Sequence, residues 1–221
     1  MQKILIIEDD EGILNSLKLY LTQSNFIVEL CNNGLDAIDK FKKIKPNIII
    51  LDINLPGKNG IEICKEIREK DSTPIIILSA RGKEEDKVMA LDLGADDYIS
   101  KPFSPRELLA RIKSVLKRFI NTEENNINEI SFKNINLDIK NFSVYLNGEI
   151  IKTTKTEFML LKYMIANKSG IITRENLMKD IMGYDNYLYD RTIDTHIKNL
   201  RRKIGNSINI KTIRGIGYKV S

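Results

Sequence analysis

The chain has 221 residues, of which 42% are hydrophobic and 29% are charged, a globular composition with length enough for two ordinary domains. No apolar run approaches the ~20 residues of a membrane-spanning helix, and no secretory signal is recognisable, so we expect a cytoplasmic protein without membrane attachment. The chain has few nitrogen and sulfur ligands for a metal ion, and their spacing is not that of a metal site: they are Cys31, Cys64 and His196. The net charge of +5 is uneven: residues 1–120 are neutral and residues 129–221 carry +7, which favours a polyanionic partner for the second half.

Short apolar runs rich in isoleucine predict the strands of a parallel sheet in the first half. They are Ile4–Ile7, Phe26–Leu30, Ile48–Leu51 and Ile75–Leu78, with Asp97–Ser100 as a weaker fifth candidate. Three of these runs are uninterrupted rather than alternating, as expected of strands that are buried on both faces. Stretches with helical spacing of apolar residues lie between them. We therefore predict an α/β doubly wound, five-stranded parallel sheet with right-handed crossovers.

Polar residues follow four of these five predicted strands. Glu8, Asp9 and Asp10 follow the first strand; Asp52, Ser79 and Lys101 follow the third, fourth and fifth. Any one of them alone is readily explained as a helix cap or a turn residue. Ligands of open α/β sheets bind outside the carboxyl ends of the strands, however, so the set together favours a functional site.

The residue types indicate which chemistry such a site would support. Crowded carboxylates repel one another, and Mg²⁺, which prefers oxygen ligands, would relieve that repulsion. An aspartate beside the metal can act as a nucleophile and form an aspartyl phosphate. Lys101 could neutralise charge on the transferred phosphoryl oxygens, and the peptide bond before Pro102 is one that can be cis.

Four segments of the first half closely resemble the receiver domain of bacterial two-component response regulators, over residues 1 to about 119. They are Ile4–Asp10, Leu51–Gly57, Leu78–Ala80 and Gly94–Phe103. The resemblance implies a CheY-like fold in which Asp52 accepts a phosphoryl group from a sensor histidine kinase. It also implies a Mg²⁺ site and a switch: Glu8, Asp9, Asp52 and the backbone carbonyl of Asn54 hold the metal, and Ser79, Tyr98 and Lys101 respond to the phosphoryl group.

Residues of both charge signs mark the last two predicted helices and the fifth strand of this half. Mixed charge on a helix is commonly just a solvated face. In the subfamily that this sequence resembles, that face forms a two-fold dimer of the activated receiver. The resemblance implies that the dimer interface contains Lys87, Asp96, Asp97, Glu107, Arg111 and Arg118.

Residues 121–128 are polar and predict a linker between a first domain, 1–120, and a second domain, 129–221. In the second domain, Asn147-Gly148 between two apolar runs predicts a hairpin. Thr154 and Glu157 fit a capping box at the start of a helix, and a second helix is predicted to begin near Thr173.

The third helix of the second domain has two contrasting faces. Ile193, Ile197, Leu200 and Ile204 share one face, and Arg191, Thr195, Lys198 and Arg202 share the opposite one, with Asn199 and Arg201 beside it. That polar face suits the major groove of DNA, although a merely solvated helix would look the same. A hairpin follows, formed by 208–213 and 217–220 around Arg214, whose basic tip could reach a phosphate or a minor groove. Helices followed by a hairpin predict an α+β winged helix-turn-helix domain.

The second domain resembles the winged-helix effector domain of the OmpR/PhoB subfamily over residues 129–221. The matching segments are Thr153–Phe158, Arg174–Leu177, Arg191–Ile204 and Thr212–Tyr218. The resemblance implies a recognition helix near Tyr189–Lys203 and a minor-groove arginine at Arg214. The implied DNA-binding residues are Arg191, Thr195, His196, Lys198, Asn199, Arg201, Arg202, Thr212 and Arg214. Asn199 replaces an arginine that is frequent in relatives, which would shift base preference, and Met182 replaces a frequent tryptophan.

We therefore expect a DNA-binding transcriptional response regulator in which phosphorylation of Asp52 promotes receiver dimerisation and promoter binding. RNA polymerase is a further expected partner, and no enzyme activity is expected beyond the receiver's own phosphoryl transfer and dephosphorylation. A hydrolase with an aspartyl-phosphate intermediate would need a second acid near Asp52, where this chain has Asn54. A flavodoxin-like module would repel its flavin phosphate with the acids after the first strand. A DNA-binding protein with a degenerate receiver is the third alternative, and only a phosphorylation assay decides against it.

Overall fold

The computed structural model describes residues 1–80, 84–120, 129–183 and 192–221, except for the side chains of residues 84–87 and 118–120. The chain divides into two compact units, Met1–Leu116 and Lys117–Ser221. The predicted domain limits of 1–120 and 129–221 stay a prediction, and the predicted linker, 121–128, lies outside the described residues.

Five strands build the sheet of the first unit. They are β1 (Lys3–Ile7), β2 (Ile27–Cys31), β3 (Ile48–Asp52), β4 (Ile75–Ser79) and β5 (Asp97–Ser100), in the spatial order β2-β1-β3-β4-β5. All neighbouring strands pair in parallel. Strand β2 begins one residue later than predicted because Ile27 pairs with Lys3, the first residue of β1. The predicted doubly wound α/β fold is confirmed, and its strand order reverses beside β1, where β3 pairs with it.

Helices alternate with these strands. They are α1 (Glu11–Gln23), α2 (Ala37–Ile44), α3 (Gly60–Lys70), α4 (Glu84–Asp92) and α5 (Pro105–Ile120). Helix α1 begins where the Asp10 carboxylate accepts a hydrogen bond from the Ile13 N–H at 2.9 Å. The helices bury their apolar stripes against the sheet, as Leu17 of α1 and Ile112 of α5 do.

The second unit opens with a four-stranded antiparallel sheet. Its strands are β6 (Glu129–Phe132), β7 (Ile135–Asp138), β8 (Ser143–Leu146) and β9 (Glu149–Ile151), in sequence order. The predicted hairpin is confirmed: Leu146 pairs with Glu149 across a two-residue turn. Asn147 and Gly148 both have positive φ, 53° and 86°, which is the backbone that this turn requires.

Three helices pack against that sheet and bring the remaining strands together. They are α6 (Lys155–Ala166), α7 (Arg174–Leu177), which a π-helical turn (Met178–Met182) extends, and α8 (Thr192–Ile204). The capping box predicted for α6 is present: the Thr154 hydroxyl accepts from the Glu157 N–H, and the Glu157 carboxylate accepts from the Thr154 N–H. Thr173 caps α7 by accepting from the Asn176 N–H at 3.1 Å. Met182 is buried in the core, as expected for a substitution that alters packing.

A three-stranded sheet completes the second unit. Its strands are β10 (Ile172–Thr173), β11 (Ile210–Ile213) and β12 (Gly217–Val220), in the order β10-β12-β11. Strands β11 and β12 and the turn between them form the wing. Strand β11 starts two residues later than predicted, at Ile210, which pairs with Val220. The predicted α+β winged-helix fold is confirmed. No helix in the described ranges is both long and apolar enough to cross a membrane.

Candidate functional site

An acidic cluster lies at the carboxyl edge of the parallel sheet. Glu8 follows β1 directly and Asp52 ends β3, and the two strands are neighbours in the sheet. One carboxylate oxygen from each of Glu8, Asp9 and Asp52 lies within 4.8 Å of the others. Glu8 and Asp52 are buried, whereas Asp9 is exposed at the rim. Three carboxylates that converge in this way form an all-oxygen donor set, which suits Mg²⁺.

Lys101 places its ammonium group inside this cluster. Its Nζ lies 2.6 Å from Oε2 of Glu8 and 2.6 Å from Oδ2 of Asp52. The Lys101 backbone N–H donates to the Ser79 carbonyl at 2.8 Å, so the end of β4 holds the start of the loop that carries the lysine. The Lys101–Pro102 peptide bond is cis. Residues separated by more than forty positions in sequence thus meet at one point.

The electrostatics of this cluster follow from its burial. Burial, reinforced by the nearby negative charge of Asp52, raises the pKa of Glu8 from its ordinary value to about 7, although the hydrogen bond from Lys101 opposes the change. For Lys101, burial lowers the pKa, but hydrogen bonds to Asp52 and Glu8 outweigh it and the net pKa is raised. The lysine is therefore a firmly charged counter-ion, and the cluster has an excess of negative charge that a bound cation would balance.

Two further residues near Asp52 and Glu8 have distinct positions. The Asn54 N–H donates to Oδ1 of Asp52 at 3.2 Å, and its side chain is exposed. Asp10 does not join the metal-type cluster, since its carboxylate caps α1.

Ser79 and Tyr98, the predicted switch pair, are both buried. Ser79 ends β4 and pairs with Ser100 of β5, so its hydroxyl lies on a strand next to β3. The Tyr98 ring is 6% exposed and belongs to the apolar cluster on one face of the sheet. The ring therefore occupies the interior rather than the solvent.

The charged residues predicted for a dimer interface form contacts within the chain. Arg111 is buried and its guanidinium lies 3.2 Å from Asp97 and 3.0 Å from Glu107. Asp96 is fully buried and pairs with Arg68 at 2.9 Å. The side chains of Lys87 and Arg118 lie outside the described residues. Four of the six predicted residues therefore form salt bridges within the chain.

Arg68 is a residue that the sequence reasoning missed. Besides the Asp96 pair, it donates to the carbonyls of Gly94 and Thr73 at 2.8 and 2.7 Å. It therefore ties the end of α3 to the loops before β4 and β5. An arginine near a helix end is so common on protein surfaces that nothing in its sequence context marks this role.

The polar side of α8 is less exposed than its sequence pattern predicts. Lys198 and Arg202 are exposed, as expected. Thr195, His196 and Asn199 are 5%, 1% and 2% exposed. The sequence pattern places Thr195 on the polar face and Asn199 beside it, so the prediction of an exposed polar face is wrong at these two positions. The reason is that α8 is covered on more of its circumference than one aliphatic stripe. Whether they contact DNA stays a prediction.

Three other predicted DNA contacts lie on the wing or bond to it. Thr212 is exposed on β11, and Arg214 is exposed at the turn of the wing. Arg201 is half-buried and donates to the Ile210 carbonyl and to the Thr212 hydroxyl. Arg191 lies outside the described residues.

Comparisons with known proteins agree with this geometry. Residues 4–113 match the response regulator receiver domain, and residues 148–220 match the C-terminal domain of transcriptional regulatory proteins. The response regulator ArlR of Staphylococcus haemolyticus is 40% identical over 223 residues, covering all of both chains. The chain belongs to the OmpR/PhoB family of response regulators. The sensory transduction protein RegX3 of Mycolicibacterium smegmatis is 36% identical, with 100% of this chain and 99% of the relative covered.

Solved structures extend the comparison of this response regulator. A RitR mutant matches with a TM-score of 0.80 at 25% identity, covering 100% of this chain and 99% of the other. DrrB of Thermotoga maritima, an OmpR/PhoB homologue, matches with a TM-score of 0.53 at 32% identity over the same shares. These relatives exclude the hydrolase and flavodoxin-like alternatives. The protein is a transcription-factor-type response regulator with a receiver and a DNA-binding domain, which implies a kinase and DNA as partners.

Proposed function

We propose that a sensor histidine kinase phosphorylates Asp52, and that this event promotes receiver dimerisation and promoter binding in the cytoplasm. The observation that carries the proposal is the position of Lys101, whose Nζ lies 2.6 Å from both Asp52 and Glu8. An aspartate with a charged donor and a second acid beside it has the surroundings that an aspartyl-phosphate nucleophile needs.

The chemistry would begin with attack of an Asp52 carboxylate oxygen on the phosphorus of a phosphohistidine. The new O–P bond forms as the P–N bond breaks, and the departing imidazole takes a proton from solvent. Lys101 would then donate to a phosphoryl oxygen instead of to the free carboxylate. Glu8, Asp9, Asp52 and the Asn54 carbonyl would hold Mg²⁺, which supplies charge neutralisation at the phosphoryl oxygens.

Phosphorylation would change the structure at the ends of β4 and β5. A phosphoryl group adds about −1.5 to −2 charge and three acceptor oxygens, and the Ser79 hydroxyl at the end of β4 would donate to one of them. Movement of Ser79 toward that group would change the space available to Tyr98. Because Tyr98 follows Asp97, the rearrangement would reach the Asp97–Arg111 pair.

A receiver dimer would then use the charged face of α4, β5 and α5. Arg111 already pairs with Asp97 and with Glu107 there, so a partner chain would exchange or extend these pairs. The proposed interface comprises Lys87, Asp96, Asp97, Glu107, Arg111 and Arg118. Two linked winged helices would bind two half-sites with a higher affinity than either alone.

On DNA, α8 would enter the major groove and the wing would reach a minor groove. Lys198, Arg202 and Arg214 are the exposed cations best placed for these contacts. The resemblance implies the full set Arg191, Thr195, His196, Lys198, Asn199, Arg201, Arg202, Thr212 and Arg214. Of these, Arg201 is bonded to the Ile210 carbonyl of its own chain. RNA polymerase is proposed as the partner once the dimer is bound to a promoter.

The test compares wild type with Asp52→Asn, each treated with Mg²⁺ and acetyl phosphate. Asp39→Asn is the matched control, because the Asp39 side chain is 90% exposed on α2. We expect wild type and Asp39→Asn to gain one phosphate that alkali and hydroxylamine remove, to dimerise in sizing and to bind DNA more tightly. Asp52→Asn should do none of these. If all three proteins respond alike, Asp52 is not the phosphoacceptor and the switch proposal fails.

A further inference from the structure

A charged and aromatic cluster joins α7, α8 and the wing, and it lies apart from the acidic cluster. The Tyr218 ring of β12 is 2% exposed and faces the guanidinium carbons of Arg174 at 5.0 Å and Arg201 at 5.6 Å. The Tyr218 hydroxyl donates to Asp194 of α8. Arg174 donates to the same carboxylate oxygen of Asp194 at 3.0 Å. Stacking of arginine on a buried ring adds cation–π attraction to these hydrogen bonds.

Arg201 extends this cluster from α8 to the first strand of the wing. Its Nε and one terminal nitrogen donate to the Ile210 carbonyl at 2.9 and 2.6 Å. The same terminal nitrogen donates to the Thr212 hydroxyl at 2.8 Å. Two nitrogens of the planar guanidinium are therefore committed to the chain itself. A lysine could not reproduce this fork, nor stack on the ring in the same way.

The other strand of the wing is anchored at β10. A side chain at Gly217 would approach the Ile172 carbonyl to 2.0 Å, so only glycine allows β12 to lie this close to β10. The Arg174 N–H donates to the Ile216 carbonyl at 3.3 Å, next to the wing turn. Both strands of the wing are thus fixed to helical parts of the domain, and Arg214 is carried on a braced turn.

We propose that Arg201 is a positioning residue, which together with Tyr218 fixes the wing relative to α8 and does not itself contact DNA. The inference deepens the proposed function, since it rests on DNA contacts by α8 and by Arg214. Two adjacent grooves are bound together only if both elements have the right separation beforehand. Loss of the brace would leave Arg214 on a wing that must be ordered again at each binding event.

The test is a double-mutant cycle between Arg201→Lys and Arg214→Ala. The full chain is treated with Mg²⁺ and acetyl phosphate, and the probe is a duplex that wild type selects from random-sequence DNA. Each single substitution should weaken binding about tenfold. In the Arg214→Ala background, Arg201→Lys should weaken binding no more than about twofold, because the wing contact is already absent.

Arg202→Ala is the matched control, because Arg202 is the exposed neighbour of Arg201 on α8. Its loss should multiply with that of Arg214→Ala. A hydroxyl-radical footprint supplies a second measurement: Arg201→Lys should lose protection at the wing's minor groove and keep it at the major groove. Full retention of affinity by Arg201→Lys, or a loss that multiplies with Arg214→Ala, would overturn the inference. If wild type selects no duplex, the proposed function itself is wrong.

Discussion

The acidic cluster of the receiver and the polar side of α8 differ in how well the sequence predicts the surroundings of their residues. In the acidic cluster, Glu8, Asp9, Asp52 and Lys101 converge at one edge of the sheet as their positions after the strands predict, whereas Asp10 caps α1. On α8, Thr195 of the predicted polar face and Asn199 beside it are buried. Parallel strands bring their carboxyl ends to one edge whatever the side chains do, whereas the surroundings of a helix face depend on everything that packs around it.

The largest expected effect concerns the acidic cluster. Lys101→Met removes the cation between Glu8 and Asp52, whose side chains are 1% and 4% exposed. Leaving a buried carboxylate pair uncompensated should lower the free energy of unfolding by about 3 kcal/mol in a metal-free buffer. Urea denaturation measures it, and Mg²⁺ should restore part of the loss.

Asp9→Asn is the control for that experiment, since Asp9 belongs to the same cluster but is exposed. It should weaken Mg²⁺ binding while changing the metal-free stability by less than about 0.5 kcal/mol. If Lys101→Met and Asp9→Asn destabilise the protein equally, burial does not determine how much each residue of the acidic cluster contributes to stability.

The next prediction separates buried from exposed polar residues on α8. Asn199→Ala should destabilise the second unit by about 1–3 kcal/mol, since it deletes a buried polar side chain. Lys198→Ala should leave stability nearly unchanged. It should instead lower the slope of log K against log salt by about 0.9, because one phosphate contact is lost. Thermal unfolding and salt titrations of DNA binding test both, and a stable Asn199→Ala would show that its burial carries no packing role.

How much the sequence could predict differs between the two regions for the same reason. The five strands, the Asn147-Gly148 turn and the Thr154 capping box follow from local patterns, and all are present in the structure. The bracing role of Arg201 could not be predicted, because the sequence pattern is the same whether a basic residue of this helix contacts a DNA phosphate or a backbone carbonyl of its own chain. Nor does any local pattern indicate that Asp96 pairs with Arg68, 28 positions away.

A smaller effect is expected at the start of α6. Thr154→Ala removes the hydroxyl that accepts from the Glu157 N–H at 3.2 Å, and should cost about 1 kcal/mol. Glu157 also pairs with Lys203 of α8. Denaturation of Thr154→Ala and Thr154→Ser should show the loss only for alanine; a similar loss for serine would point to the methyl group instead of the cap.

The prediction that bears least on this comparison concerns the thiol of Cys64, which belongs to neither region. Burial raises its pKa from 9.0 to about 11. The thiolate is the reactive form, so at pH 8 its population falls about a hundredfold below that of an ordinary cysteine, and reactivity rises as pH approaches 11. Iodoacetamide labelling of a Cys31→Ser variant, native against urea-unfolded, tests this. Equal rates in the two states would contradict it.

The two hydrophobic clusters draw on separate stretches of sequence, one from Leu5 to Tyr98 and the other from Ile130 to Val220. The first unit has one sheet and the second has two, and each unit has its own set of helices. Recombination within residues 121–128 would therefore cut through neither interior. A hybrid that joins this output half to a foreign input half should inherit both folds intact, which makes the chain a ready source of interchangeable parts for building sensors of new stimuli.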